Sequence, residues 1–211
     1  MISGLRRPHE DKPLRETDVE KEPFGQFAAW MTAALEAGLA FPNAMTLATA
    51  SPDGNPSARI VLLKGFDERG FVFFSNYESS KGQELASNPH AALVFYWFEL
   101  ERQVRITGLV DRLPERESDE YFASRPVGSR VSTWASRQSE VIVDRSALEL
   151  AAAEVKSRYP DGDIPRPPHW GGYRVVPNEV EFWQGRADRL HDRLRYRRSG
   201  DDGWVLERLS P

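Results

Sequence analysis

The chain of 211 residues contains no cysteine. That single absence excludes disulfides, thiolate metal sites and a cysteine nucleophile, and it fits a reducing compartment. Histidine is scarce too: His9, His90, His169 and His191 lie far apart without metal-ligand spacing, so no metal is expected. No apolar run approaches the ~20 residues that cross a bilayer. The opening residues, Met1-Ile-Ser-Gly-Leu-Arg-Arg-Pro-His-Glu, have no apolar stretch of the signal-peptide kind. The expectation is a cytoplasmic protein without a membrane segment. A formal net charge of -4 argues against a surface built as a nucleic-acid footprint, so nucleic acid is not an expected partner.

What is present is ordinary for a folded domain: 40% hydrophobic and 28% charged residues, at a length that supports one core. Residues 1–22 are polar, charged and punctuated by proline, and read as a flexible N-terminal arm; 23–211 read as a single domain. From Pro23 onward, Phe24, Phe27, Trp30, Met31, Ala34 and Leu35 recur at helical spacing, with Gly38 as a stop. Strand-like segments follow at Ala44–Ala50, Ser57–Lys64, Phe71–Asn76, Ala91–Phe98 and Arg102–Arg112. Turn residues Asp53-Gly54-Asn55 and Asp67-Glu68-Arg69-Gly70 separate the early ones. Helices are expected over Ser79–Ser87, Pro114–Ser124 and Arg145–Arg158. Closing strands are expected at Tyr173–Val176 running on to Trp183, at Asp188–Arg198 and at Trp204–Leu209. The class is mainly β with peripheral helices, an α+β arrangement of the antiparallel barrel or sandwich kind.

Several constellations could carry chemistry. If Asp188–Arg198 is a strand, period two puts Arg189, His191, Arg193 and Arg195 on one face and Leu190 and Leu194 on the other. So much aligned positive charge repels itself unless anions sit among it. A solvated edge strand and a site for an anionic small molecule both satisfy the pattern. Tyr121, Arg125 and Ser129 are spaced four apart, with Pro126 restarting a helix, and could cradle a phosphate. Such spacing also occurs in helices with no ligand. Arg59 and Lys64 bracket an apolar run at opposite parity, so aiming both at one ligand requires a bulge, a strand end or both sheet faces. Lys81 opens a helix behind Ser79 and Ser80, a favourable place for an anion and a common place for a surface lysine. Gln103 shares the polar side of its strand with Arg105 and Thr107.

Taken in order, the runs Arg59-Ile-Val-Leu-Leu-Lys64, Gly70-Phe-Val-Phe-Phe-Ser75-Asn76, Glu101-Arg-Gln103-Val, Tyr121-Phe-x-x-Arg125-Pro and Trp134-Ala-Ser-x-Gln138-Ser139 resemble the pyridoxine/pyridoxamine 5'-phosphate oxidase family. Trp170-Gly-Gly-Tyr-Arg, Glu181-Phe-Trp-Gln-Gly185, Arg189-Leu-His191-Asp-Arg193 and Arg208-Leu-x-Pro211 extend the resemblance, which covers about Pro23 to Pro211. It implies an FMN-binding split β-barrel that forms a homodimer with FMN at the subunit interface. The implied reaction oxidises a small phosphorylated pyridine substrate at C4' by hydride transfer to the flavin. Dioxygen then reoxidises the flavin and yields hydrogen peroxide, and the amine substrate releases ammonia. The FMN contacts implied are Arg59, Ile60, Val61, Leu62, Leu63, Lys64, Phe74, Ser75, Lys81, Gln103, Gln138, Ser139, Trp183 and Arg193. The substrate contacts implied are Lys64, Tyr121, Arg125 and Ser129 at the phosphate, with Arg189 and His191 at the ring as the catalytic pair. A flavin oxidase of the phenazine pathway and a non-enzymatic flavin- or pyridoxal-phosphate-binding protein are the alternatives on the same barrel. The chain departs from many relatives at Ser80, where they carry an arginine, and in its arm, Arg6-Arg7-Pro8-His9, which lacks their tyrosine.

Overall fold

The computed structural model describes residues 12–200 and 203–211. Helix α1 (Pro23–Glu36) opens on proline, whose missing N–H costs nothing in a first turn. It buries Phe27, Trp30, Met31 and Ala34, a stripe at three- and four-residue spacing. The helix stops where Gly38 takes φ = 68°, a left-handed conformation open to glycine.

The stripe closes the core of an antiparallel sheet. Its strands are β1 (Ala44–Ala50), β2 (Pro56–Leu62), β3 (Gly65–Asp67), β4 (Gly70–Asn76), β5 (His90–Trp97), β6 (Arg102–Arg112), β7 (Trp170–Gln184), β8 (Asp192–Arg198) and β9 (Trp204–Arg208). The order is β2-β1-β5-β6-β7-β4-β3, with β8 on β7 and β9 on β8. β7 serves three neighbours: 170–175 pair with β4, 179–184 pair with β8, and β6 runs along both parts. Between the two parts, Pro177 has no N–H to give, and β7 bulges at Asn178, opposite Thr107 and Gly108 of β6. Gly108 is required there, because a Cβ would lie 2.1 Å from the Val176 carbonyl oxygen. The sheet folds at this point into the split barrel that the family resemblance implies, within the antiparallel barrel-or-sandwich class that the series of short strands suggests. Phe27 fills its interior with edge-on contacts to Phe71 and Phe95 at 4.9 and 5.1 Å; each such buried ring contributes about 2–3 kcal/mol.

Helices α3 (Glu115–Ser124), α4 (Val127–Ala135) and α5 (Arg145–Arg158) form a second layer with its own core of Phe122, Val131, Val155, Ile164 and Trp170. Helix α2 (Ser80–Ser87) follows β4 and is capped by the Ser79 side chain.

Three expectations need correction. The strand expected over Asp188–Arg198 begins only at Asp192, because Asp188 and Arg189 take φ of 54° and 63° and break the extended run. Strand β3, absent from the expected strands, runs up to the first residue of the expected turn, Asp67, and the reversal itself is confined to Glu68-Arg69. The described part of the arm, 12–22, is fastened down: Leu14 joins the core at 7% exposure, and its amide donates to Asp192 Oδ2 at 3.0 Å. Glu16 pairs with Arg208 at 2.7 Å, and the Tyr196 hydroxyl donates to the Glu20 carbonyl at 2.6 Å. Residues 1–11, with the Arg6-Arg7-Pro8-His9 run, lie outside the described residues.

One glycine ties the fold to the site. A Cβ at Gly82 would lie 2.2 Å from the Tyr77 carbonyl oxygen and 2.8 Å from that of Asn76, both backbone atoms that cannot step aside. Gly82→Ala must therefore lift the first turn of α2 off the end of β4. Alanine's better helix propensity, about 1 kcal/mol, does not offset the overlap. We expect a net loss of about 3 kcal/mol, roughly 6–12 °C in Tm by calorimetry. An unchanged Tm would show that the turn relaxes freely.

Candidate active site

A cavity of about 1180 Å³ opens between β2, the end of β4, α2 and the α3–α4 layer. Its lining contains Arg59, Ile60, Val61, Leu62, Lys64, Phe74, Ser75, Lys81, Tyr121, Arg125, Ser129, Gln138 and Ser139, all singled out from the sequence. The parity conflict between Arg59 and Lys64 resolves at a strand end. β2 stops at Leu62, Leu63 turns into the core at 6% exposure, and the Lys64 amide crosses to the Val72 carbonyl at 2.8 Å. Leu63 is thus a core residue and lines no part of the cavity.

At one part of the cavity, Arg59 Nη2 donates to Ser57 Oγ at 2.6 Å and to Glu84 Oε2 at 3.2 Å, and its Nη1 meets Thr49 Oγ1. Burial alone would raise the Glu84 carboxyl, but hydrogen bonds from Thr49, Ser57 and Arg59 hold it below the ordinary carboxylate range. Beside it, Lys81 Nζ donates to Gln138 Oε1 at 2.7 Å and to Ser79 Oγ at 3.1 Å. Desolvation by burial pulls the Lys81 ammonium down to about 8, and the Arg59 charge adds to the fall. Gln138 also accepts from Ser75 Oγ at 3.3 Å, while Ser139, at φ = 76°, accepts the Ser80 amide at 3.3 Å. A buried cation answered only by neutral oxygens and by Glu84 is a receptive place for an anion.

Elsewhere in the cavity the chain builds an aromatic platform. Phe74 stacks on Tyr121 and Trp170, with centroids 3.9 and 5.4 Å away. The Arg125 guanidinium sits 4.6 Å above the Trp170 ring, and its Nη1 donates to Thr133 Oγ1 at 2.7 Å. Desolvation disfavours its charge. Ser129 enters from the first turn of α4, and Lys64 from the end of β2. Reading the sequence did not single out Glu84, Thr133 or Trp170 as cavity residues. Glu84 and Thr133 are unremarkable polar positions on helices, and a tryptophan such as Trp170 is more often a core or interface anchor than a cofactor wall.

The other expected residues lie outside this cavity's lining. Register places Tyr96, Gln103, Trp183 and Arg193 side by side across β5, β6, β7 and β8, all pointing to one sheet face. His191 lies against Trp183 at 4.6 Å. Its Nδ1 accepts the Arg186 amide at 3.1 Å, so the neutral ring carries its proton on Nε2. Arg189 and Leu190 are exposed on the turn before β8. His191 therefore meets Trp183 from a loop, and Arg189 lies exposed on that loop; neither is in strand register with Arg193 and Arg195. The positive charge of β8 is answered by protein carboxylates: Arg193 by Glu181, and Arg195 by Glu179 and Glu207. One protomer thus carries two separate clusters, a cavity with its cations and an open row with Trp183, His191 and Arg193. Tyr96 in that row is 57% exposed, and Ile60 at the cavity edge is 65% exposed.

Comparison with known proteins matches most of the chain. The family model described as pyridoxamine 5'-phosphate oxidase matches residues 31–159. The one described as the pyridoxine 5'-phosphate oxidase C-terminal dimerisation region matches 170–211. The chain is 60% identical over 210 residues to the pyridoxine/pyridoxamine 5'-phosphate oxidase of Paraburkholderia phymatum, covering 100% of this chain and 99% of that protein. It is 58% identical over 210 residues to the protein of the same name in Trichormus variabilis, covering 100% and 98%. Among solved structures, PhzG from Burkholderia lata, in complex with tetrahydrophenazine-1-carboxylic acid, has a TM-score of 0.89 at 38% identity, covering 95% of this chain and 99% of its own. A pyridoxamine 5'-phosphate oxidase-related, FMN-binding protein from Nostoc punctiforme shares the fold, with a TM-score of 0.73 at 20% identity and coverage of 92% and 100%.

Proposed function

The chain belongs to the pyridoxine/pyridoxamine 5'-phosphate oxidase family, and we propose that it oxidises pyridoxine 5'-phosphate and pyridoxamine 5'-phosphate to pyridoxal 5'-phosphate in the cytoplasm. The acceptor is dioxygen, the cofactor FMN, and the working unit a homodimer. The observation that carries this reading is the pairing of two cation sets in one cavity, Arg59 with Lys81 and Lys64 with Arg125. FMN and substrate each bring a phosphate of about -1.5 to -2 charge. A volume of about 1180 Å³ exceeds the usual single-ligand pocket of about 300–1,000 Å³. The row of Gln103, Trp183 and Arg193 with His191 then comes from the partner subunit. Most of it falls in the segment matched as a dimerisation region.

The residues present fit FMN. Buried Lys81, the Ser75 and Ser139 hydroxyls and the Gln138 amide offer charge and donors for a phosphate, and Arg59 is held ready beside them by Glu84. When bound, FMN supplies the hydride-accepting and oxygen-reducing chemistry. The chain's own work is alignment. Lys64, Arg125, Tyr121 and Ser129 hold the substrate phosphate, the Trp170 platform excludes water beneath Arg125, and Arg189 and His191 orient the ring, His191 through its Nε2–H.

A second reading follows from the likeness to PhzG: the same cations could receive the carboxylate of a larger reduced ring. One assay separates the two. The purified protein is expected to be yellow and to form peroxide and the aldehyde from pyridoxine 5'-phosphate under air. A yellow protein inert towards both phosphorylated vitamers, yet active on a reduced phenazine carboxylate, would transfer the assignment to the second reading.

The low value of Lys81 gives a pH test. An ammonium held at about 8 in the free protein is charged below that value and neutral above it. A phosphate beside it favours the charged form, so FMN binding takes up a proton as pH rises above 8. FMN affinity is expected to be flat up to pH ~7.5 and to fall about tenfold by pH ~9.5. Lys81→Met should bind more weakly and show no such slope in fluorescence titrations. An equal slope in both proteins would place the titrating group elsewhere.

A further inference from the structure

We infer that Glu181 is a positioning residue for the proposed flavin site, acting through Arg193; the inference rests on the function proposed above. Glu181 sits on β7 at 3% exposure, two residues from Trp183 and on the same face. Both its oxygens are engaged. Arg193 Nε donates to Oε1 at 2.8 Å and Arg193 Nη2 to Oε2 at 3.1 Å, a two-pronged fork. Arg105 Nη1 adds a third bond to Oε2 at 3.3 Å. By register Arg193 stands opposite Trp183, so the fork draws its side chain diagonally back along the sheet towards Glu181.

Stability is a weak reason for this arrangement. A carboxylate taken out of water forfeits several kcal/mol of hydration, which its partners recover only in part. What a fork does supply is orientation, because a planar guanidinium bound through two nitrogens cannot rotate. Arg193 Nη1 is further tied to the Ser210 carbonyl at 2.9 Å. Of the five N–H groups of a guanidinium, three are thereby used, and two remain for an acceptor beyond the edge. The Arg193 backbone stands in the row of Trp183 and Gln103, where we place the ring of FMN at the partner subunit. Glu181 thus converts a flexible four-atom arm into a fixed donor pair. Arg105, on the far oxygen and 48% exposed at its side chain, steadies the carboxylate without facing the site.

The test is a cycle on full-length dimer, reading FMN dissociation constants by flavin fluorescence and folding by circular dichroism. Glu181→Gln puts an amide N–H against a guanidinium and breaks the fork. It should weaken FMN binding by about tenfold in the wild-type background, and by less than about twofold in an Arg193→Ala background. Arg105→Ala should leave FMN affinity within about twofold. Equal losses from Glu181→Gln in both backgrounds would show a general structural effect and overturn the inference, as would unchanged affinity in either single variant at Glu181 or Arg193. Should Glu181→Gln fail to fold, Arg193→Lys decides. It keeps the charge but cannot take the fork, so wild-type affinity in that variant sinks the idea and a loss of about tenfold supports it. A wild-type protein that binds no FMN removes the proposed function itself, and this inference with it.

Discussion

Arg125→Ala is expected to raise KM for pyridoxine 5'-phosphate by about a hundredfold while leaving FMN content at the wild-type level. The size follows from the setting. The guanidinium is half-buried between Trp170 and Phe122, at 4.6 and 5.7 Å from their rings, and its charge is disfavoured there by desolvation. No carboxylate pairs with it among the described residues; its one strong polar contact is Thr133. A phosphate arriving at such a group gains a charge-assisted pair in a dry site, worth about 2–5 kcal/mol when truncated. Arg125→Lys should recover only part, since an ammonium neither stacks on the indole nor meets Thr133 and a phosphate together in one plane. Unphosphorylated pyridoxine supplies the control. It has no anion to lose, so wild type and Arg125→Ala should turn it over equally poorly. A KM within about threefold of wild type would mean that Arg125 serves the platform and not the phosphate.

Much of this arrangement was legible in the residues, because it rests on local rules. Alternating burial in β1 and β6, proline opening α1 and glycine closing it are written in period and punctuation, and the observed elements lie close to those expected. The cavity residues on β2, α2 and α3 were legible by family resemblance and, for Arg59 and Lys64, by a parity conflict that a strand end resolves. Two classes of feature were not. The left-handed backbone at Asp188 and Arg189 has little signal in residue type: Asp tolerates positive φ and is disfavoured in strands, but Arg189 carries no such mark. Partners across the sheet were equally hidden. The row of arginines on β8 reads as unanswered charge until the register brings Glu179, Glu181 and Glu207 alongside from β7 and β9. Pairing between strands distant in sequence decides which charges are balanced within the protein and which are left for a ligand. Arg125 falls in the second group and Arg193 in the first.

That division predicts how the two clusters share the work, and a mixing experiment reads it out. Arg125→Ala removes a cavity residue, and Arg189→Ala removes a residue from the loop before β8, which lines no part of that cavity. Each variant alone should be nearly inactive at low substrate, with Arg189→Ala keeping its FMN. If every site joins the cavity of one subunit to the loop of its partner, a heterodimer of the two variants contains one site with both lesions and one site with neither. Random reassortment makes about half the dimers mixed, so about a quarter of all sites become intact and activity climbs from near zero to about a quarter of the wild-type level. If instead each subunit builds its own site, every site in the mixture keeps one lesion and activity stays at the level of the parents. The experiment does not depend on either variant's stability, because the mixture is compared with its own components. A failure to complement, with mixed dimers demonstrated by differential tagging, would return Arg189 and His191 to a role apart from the cavity and confine the site to a single chain.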